Sequence, residues 1–237
     1  MDSRYARQII MPEIGEAGQR RLSAAKAAVV GAGGLGAPLL YYLASAGVGS
    51  VRIIDSDAVE LTNLNRQFVH VENDIGREKA LSAGEKLRQY NSDIDIAEHT
   101  VRLREENLSE YLDGCNLVVA CVDNLHTRYI LNDYCVERGI AYVVGGVEGF
   151  VGYTLTIVPG VTPCFRCIFP YNNTEPPIGG VLGATAGVVG SLMAMQAIKH
   201  IAGVPISSYF HYIDLQTYSI ADIKAEKNKD CPACGER

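Results

Sequence analysis

Residues 28–36 read AVVGAGGLG, a short apolar run that breaks into glycines. The adjoining LGAPLLYYLASAG (35–47) is apolar almost all round and stops at Gly47. Then SVRIID (50–55) resumes a strand-like pattern and closes on an acid. Strand, glycine turn, helix and strand in that order mark a phosphate-binding crossover. Gly31, Gly33 and Gly36 occupy the three positions of a GxGxxG turn, with Gly34 among them. The first glycine permits the tight turn, the second lets a phosphate approach the backbone, and the third lets helix and strand pack closely. The free N–H groups of the succeeding helix then face an anion.

The same alternation continues outward. GREKALSAGEKLRQYN (76–91) is amphipathic, and DIDIAEHTV (93–101) alternates as a strand does. NLVVACVD (116–123) is a continuous buried strand, NLHTRYILNDYCVERG (124–139) a helix ending at glycine, and AYVVGG (141–146) a further strand. This order predicts an α/β protein with a Rossmann-like, doubly wound, mostly parallel sheet. The pattern then changes. TLTIVPG (154–160) reads as a strand, residues 183–202 as an apolar helix, and YFHYIDLQTYSIADI (209–223) as two strands with a tight connection. The sheet is therefore expected to be extended by antiparallel strands, within a single domain spanning 1–237. There are no repeats and no long linker.

The residues after the glycine turn favour phosphate chemistry. Asp55 ends the second strand, where an acid accepts hydrogen bonds from a ribose. DSDAVELTNLNRQ (55–67) adds Asp57, Asn63, Arg66 and Gln67 in a polar run, and Lys79 opens the next helix. Asp123 ends the strand NLVVACVD, at the edge where open α/β sheets bind ligands. Arg66 and Lys79 would neutralise a polyphosphate and a departing pyrophosphate, and Asp123 would hold Mg²⁺. The glycine turn and Asp55 alone fit a nicotinamide-dependent oxidoreductase equally well. That alternative leaves NLNRQ and Lys79 unexplained. A non-catalytic nucleotide-binding relative is the third reading, against which the retained Arg66, Lys79 and Asp123 weigh.

The composition narrows the partners. Net charge is −6, and no basic stripe is present, so nucleic acid is not expected. The N-terminal MDSRYARQIIMPEIGEAGQRR mixes charge throughout and reads as no secretory signal. Residues 178–198 carry no charge, but glycine, alanine, serine and threonine dilute their hydrophobicity, so a buried helix rather than a membrane span is expected. These readings together predict a cytoplasmic location.

Among the 7 cysteines, CFRC supplies Cys164 and Cys167 and CPAC supplies Cys231 and Cys234. Two such knuckles together form a Cys₄ zinc site that clips the C-terminal segment onto the body. Redox dithiols and core thiols are the rival readings. Cys115, Cys121 and Cys135 lie on core elements and read as inert buried thiols.

RYARQI, GAGGLG, IIDSDAVELTNLNRQ, IGREK, CVDN and the two CxxC pairs occur here in one order, from about residue 4 to 235. In that combination the chain resembles the MoeB/ThiF/HesA family of the ubiquitin-activating-enzyme superfamily. The resemblance implies adenylation of the C-terminal Gly-Gly carboxylate of a small ubiquitin-like sulfur carrier, with Mg-ATP consumed and pyrophosphate released. It places Asp55, Asn63, Arg66, Lys79 and Asp123 at the nucleotide and Asp123 at the metal. It makes Arg7 a residue that reaches into the neighbouring subunit, which implies a homodimer with shared active sites. Some relatives carry a further cysteine in the crossover segment after the first knuckle. Here that segment reads YNNTEPPIGGVLGATAG, with Pro176 or a neighbour at the family position. The departure favours adenylation without a covalent carrier–enzyme intermediate. No rhodanese-like pattern follows in the sequence, so a separate sulfur-donor protein is an expected partner.

Overall fold

The computed structural model describes residues 4–170, 179–206 and 209–235. The central element is one eight-stranded sheet. Its strands are β1 (Lys26–Val30), β2 (Ser50–Ile54), β3 (Asp95–His99), β4 (Leu117–Ala120), β5 (Ala141–Glu148), β6 (Val151–Ile157), β7 (Tyr209–Asp214) and β8 (Ser219–Lys224). They lie in the order β3-β2-β1-β4-β5-β6-β7-β8. The first five in that order are mutually parallel, and the last three add on antiparallel. The mostly parallel sheet with an antiparallel extension is as the sequence predicts.

The central strands explain their own placement. β4 is buried at every position, and β1 at every position after Lys26. Parallel strands covered on both faces need such uninterrupted apolar runs. Side chains alternate across the sheet and feed two cores. Val29, Ile53 and Val119 join Leu39, Leu43 and Met193 on one face. Val30, Val118 and Tyr142 join Leu131 and Phe165 on the other.

The first face is covered by α3 (Gly36–Ala46), α4 (Lys79–Tyr90) and α8 (Gly183–Ala202). The second is covered by α5 (Leu108–Leu112), α6 (Leu125–Arg138) and α7 (Phe165–Ile168). α8 therefore lies on the sheet, and no described helix is long and apolar enough to cross a membrane.

Two N-terminal helices, α1 (Ala6–Ile9) and α2 (Gly15–Ala24), add to the elements expected from the sequence. They dock on the C-terminal end of α3. Gln8 Nε2 and Gln19 Nε2 both donate to the Ala46 carbonyl, at 2.8 and 3.1 Å. Asn91 Nδ2 donates to the Tyr5 hydroxyl at 3.0 Å. The strand expected over 116–123 stops at Ala120, so Asp123 sits in the loop beyond the sheet edge. The strand expected over 154–160 begins earlier, at Val151, because β5 turns directly back into it through Gly149.

Candidate nucleotide site and cysteine cluster

The site lies where β1 borders both β2 and β4, the point at which the chain switches direction across the sheet. The glycine turn leaves β1 there. Gly31 has φ of 99°, and a Cβ on it would stand 2.6 Å from the Cys121 carbonyl oxygen. A Cβ on Gly36 would stand 2.2 Å from the Gly31 oxygen. Both glycines are required for the turn itself. At Gly33 a Cβ would meet nothing nearer than Gln67 Nε2, at 3.6 Å. The described residues alone do not demand glycine at this position; among them, the space beside it is left open.

The turn is held on both sides. Asp55 Oδ2 accepts the Ala32 N–H at 2.7 Å, and its Oδ1 accepts the Asp57 N–H at 2.9 Å. Burial pushes the Asp55 carboxyl above its usual range, against the pull of these N–H groups and of Lys79. On the other side His70 Nε2 lies 3.0 Å from the Ala32 carbonyl oxygen. Among the described residues, the N–H groups of Gly33 and Gly34 have no partner. Unpaired donors at the start of a helix are an anion-binding surface.

The polar loop closes over this surface. The Arg66 stem packs against Gly34, its Cγ 3.4 Å from where a Cβ would stand. Its guanidinium donates to the Thr62 carbonyl and to Asn65 Oδ1, at 3.0 and 2.9 Å. Gln67 is buried, and its Oε1 has no hydrogen-bond partner among the described residues. An orphaned buried polar atom beside an open turn fits a ligand that completes it. Asn63 is buried too and uses its Oδ1 to accept the Glu60 N–H at 3.1 Å. Lys79 opens α4 and is only 7% exposed, with Nζ 3.2 Å from Asp57 Oδ2. A buried ammonium whose one ion pair among the described residues is with a largely exposed carboxylate is poised for a second anion.

Asp123 follows β4 and is exposed. Among the described residues its carboxylate has no hydrogen-bond or ion-pair partner. The next residue, Asn124, caps α6 by accepting the Thr127 N–H at 2.9 Å. Arg128 is buried and donates to the Val122 carbonyl at 2.8 Å and to the Tyr153 hydroxyl at 2.7 Å. It holds the loop that carries Asp123. Arg7 is the predicted residue that the fold does not bring to this place. It is exposed on α1, at the end of α3 opposite the glycine turn, about 15 Å along that helix.

The sequence pattern does not reveal His70 or what stands behind it. His70 Nδ1 lies 2.9 Å from Ser82 Oγ, and Lys86 Nζ donates to that same oxygen at 2.9 Å. Lys86 also pairs with Asp74 at 2.5 Å, and Arg77 reaches Asp74 at 2.9 Å. Burial pushes the His70 imidazole down to about 4, so it is neutral near pH 7. The available signal is a lone histidine shortly after the NLNRQ run, which nothing in the sequence connects to Ser82 or Ala32.

The four paired cysteines do come together. All four Sγ atoms lie within 4.8 Å of one another. The separations are 3.9 Å for Cys164–Cys167, 3.5 Å for Cys164–Cys231 and 3.4 Å for Cys167–Cys234. A tetrahedron with metal–sulfur bonds of about 2.3 Å has edges of roughly 3.8 Å. The donor set fits a thiophilic ion, with no protein position left open. Burial raises the Cys164 thiol well above its ordinary range and pushes Cys234 up to about 11. Cys121 and Cys135 are raised well above theirs by burial, as inert core thiols are. Pro176, at the family's crossover-cysteine position, lies outside the described residues.

The model of the ThiF family matches residues 5–233. The chain is 41% identical to the SAMP-activating enzyme E1 of Haloferax volcanii, over 98% of this chain and 88% of that protein. It is 40% identical to a sulfur carrier protein adenylyltransferase of Thermus thermophilus, over 98% of this chain and 90% of that one. A crystal structure of E. coli MccB with ATP superposes with a TM-score of 0.89 at 24% identity, over 99% of this chain and 74% of that one. At that identity the likeness is one of fold.

Proposed function

The chain belongs to the ThiF family, and from that premise we propose that it adenylates the C-terminal carboxylate of a small ubiquitin-like sulfur-carrier protein ending in Gly-Gly, consuming ATP and releasing pyrophosphate. The observation that supports this reading is the pairing of the glycine turn, whose Gly33 and Gly34 N–H groups have no partner among the described residues, with an exposed Asp123 that has none among them either, beside the switch point. Nicotinamide chemistry has no use for a carboxylate and a buried lysine beside the phosphates.

The carrier carboxylate is ionised at neutral pH and needs no general base. Its oxygen attacks the α-phosphorus, and the bond from that phosphorus to the bridging oxygen breaks. A mixed acyl–phosphate anhydride forms, and the electron pair leaves on pyrophosphate. The protein's work is positioning and charge. The Gly33 and Gly34 N–H groups receive phosphate oxygens. Lys79 and Arg66 neutralise charge that builds as pyrophosphate departs. Asp55 fixes the turn and leaves its remaining acceptor capacity for a ribose. Holding nucleophile and phosphorus in line lowers the barrier by roughly 7–11 kcal/mol at most.

Asp123 would hold Mg²⁺, which supplies charge neutralisation on the phosphates; one carboxylate with substrate oxygens and water completes the usual Mg²⁺ shell. The cysteine tetrad would hold Zn²⁺ as a structural ion, joining the segment around Cys231 to that around Cys164. Arg7, remote from its own turn, would complete the site of a second subunit in a homodimer. The first test of the nucleotide is calorimetric. Tight Mg-ATP binding with no measurable NAD binding supports the proposal, and preference for NAD overturns it.

A further inference from the structure

We propose that His70 is a positioning residue of the nucleotide site, which acts through the peptide that joins Ala32 to Gly33. The hydrogen bonds around it admit one arrangement of protons. The Ala32 carbonyl can only accept, so His70 Nε2 carries the proton across the 3.0 Å contact. In the neutral imidazole Nδ1 is then the acceptor, and the Ser82 hydroxyl donates to it at 2.9 Å. Lys86 Nζ, a donor only, gives a hydrogen bond to Ser82 Oγ at 2.9 Å and so leaves the hydroxyl proton for the ring. A chain of donors runs from Lys86 through Ser82 and His70 to the turn, and every member is satisfied.

Peptide geometry gives this chain its consequence. The Ala32 carbonyl and the Gly33 N–H belong to one planar trans unit and point in opposite directions. Tying the carbonyl to His70 therefore aims the Gly33 N–H away from His70. The preceding peptide is fixed by Asp55 at 2.7 Å. The two clamps together set the orientation of the donor that faces the open space beside Gly33. His70 is buried, and the charged groups facing it are Lys86, Asp74 and Lys79. Two of these are cations, which favours the neutral ring that the donor chain requires.

The inference rests on the nucleotide reading of the turn, and its test separates the two. ATP affinity is measured for the wild-type chain and for His70→Gln, His70→Phe and Ser82→Ala, and the ring nitrogens of ¹⁵N-labelled wild-type protein are observed by NMR. His70→Gln keeps an N–H donor near the Nε2 position and should bind ATP within about threefold of wild type. His70→Phe keeps the volume and loses the donor, and should weaken binding by about tenfold or more. A purely structural role would follow volume and give the opposite ranking. Should His70→Phe fail to fold, Ser82→Ala carries the same question: it frees the tautomer and should weaken ATP binding while the melting temperature changes little. Wild-type spectra should show protonation at Nε2 alone. Protonation at Nδ1, or wild-type affinity in both His70→Phe and Ser82→Ala, overturns the assignment. Absence of ATP binding by the wild type removes the nucleotide reading and this one with it.

Discussion

A Cβ on Gly33 would stand 3.6 Å from Gln67 Nε2, an ordinary contact, whereas a Cβ on neighbouring Gly36 would collide with the Gly31 carbonyl oxygen at 2.2 Å. The two glycines therefore answer to different requirements. Gly33→Ala should leave the melting temperature within a few degrees and weaken ATP binding by at least about tenfold, because the methyl group occupies the phosphate's approach. Gly36→Ala should lower stability by several kcal/mol, because α3 can no longer pack on the turn. Thermal melts and calorimetry on the two variants check this. Equal ATP affinity in Gly33→Ala and wild type would place the phosphates elsewhere.

Asp123, without a partner among the described residues, makes a second separation of fold from function. Asp123→Ala removes no hydrogen bond or ion pair formed among the described residues, so its melting curve should match wild type within about 0.5 kcal/mol. Its adenylation should fall by at least about 10²-fold. Arg7→Ala should also be impaired, although Arg7 lies far from its own turn. Mixing the two variants under subunit exchange should restore part of the activity, since one hybrid site is whole. Mixed protein no more active than either parent would remove the shared site.

The cysteine tetrad predicts about one zinc per chain by elemental analysis. Cys231→Ser should lose the ion and lower the melting temperature. It should also expose the segment that Asn228 and Lys227 tie to Cys167 and Gly160, at 3.4 and 2.5 Å, to protease. Metal-free wild-type protein with an unchanged melting curve would show that the sulfurs pack as core thiols.

Stability should depend on pH through the His70–Asp74 network. The folded-state value of His70 lies near 4, below the ordinary 6.5. Below about pH 6.5 the unfolded chain takes up a proton that the folded chain refuses. This contribution is complete above that pH and is lost as pH falls toward 4, up to about 3 kcal/mol. Burial works to raise Asp74, but Lys86 and the Val71 N–H outweigh it and hold the carboxyl at about 2. A second loss, up to about 2 kcal/mol, therefore begins only below about pH 4. Urea unfolding at intervals from about pH 7 to 3 measures both. His70→Gln should reduce the first phase, to which His99 and His200, also lowered by burial, add, and leave the second.

The elements that carry the site are legible because each rests on a local pattern. GAGGLG needs its glycines for backbone reasons, and LVVA is uninterrupted because both of its faces are covered. The paired cysteines announce each other by spacing, across a long insert. The features that escape are long-range. Nothing near HVEND reveals that His70 meets Ala32 and Ser82. α1 and α2 are short and polar, and long-range contacts anchor them: Gln8 and Gln19 reach the Ala46 carbonyl at the end of α3, Arg21 reaches the Ala202 carbonyl, and Leu22 enters the core. Arg128, three residues after the α6 start, follows the Asp123 strand and reads in sequence as a residue that could touch the carrier tail; it is buried and bonded to the Val122 carbonyl and the Tyr153 hydroxyl.

Carrier-dependent exchange of labelled pyrophosphate into ATP tests adenylation most directly, with the purified chain and a panel of small ubiquitin-like carriers ending in Gly-Gly. Exchange with one carrier, abolished when its terminal glycine is removed and absent with Asp123→Ala, is the predicted result. Tight Mg-ATP binding by fully zinc-loaded protein, with no exchange in the presence of any carrier, would contradict it.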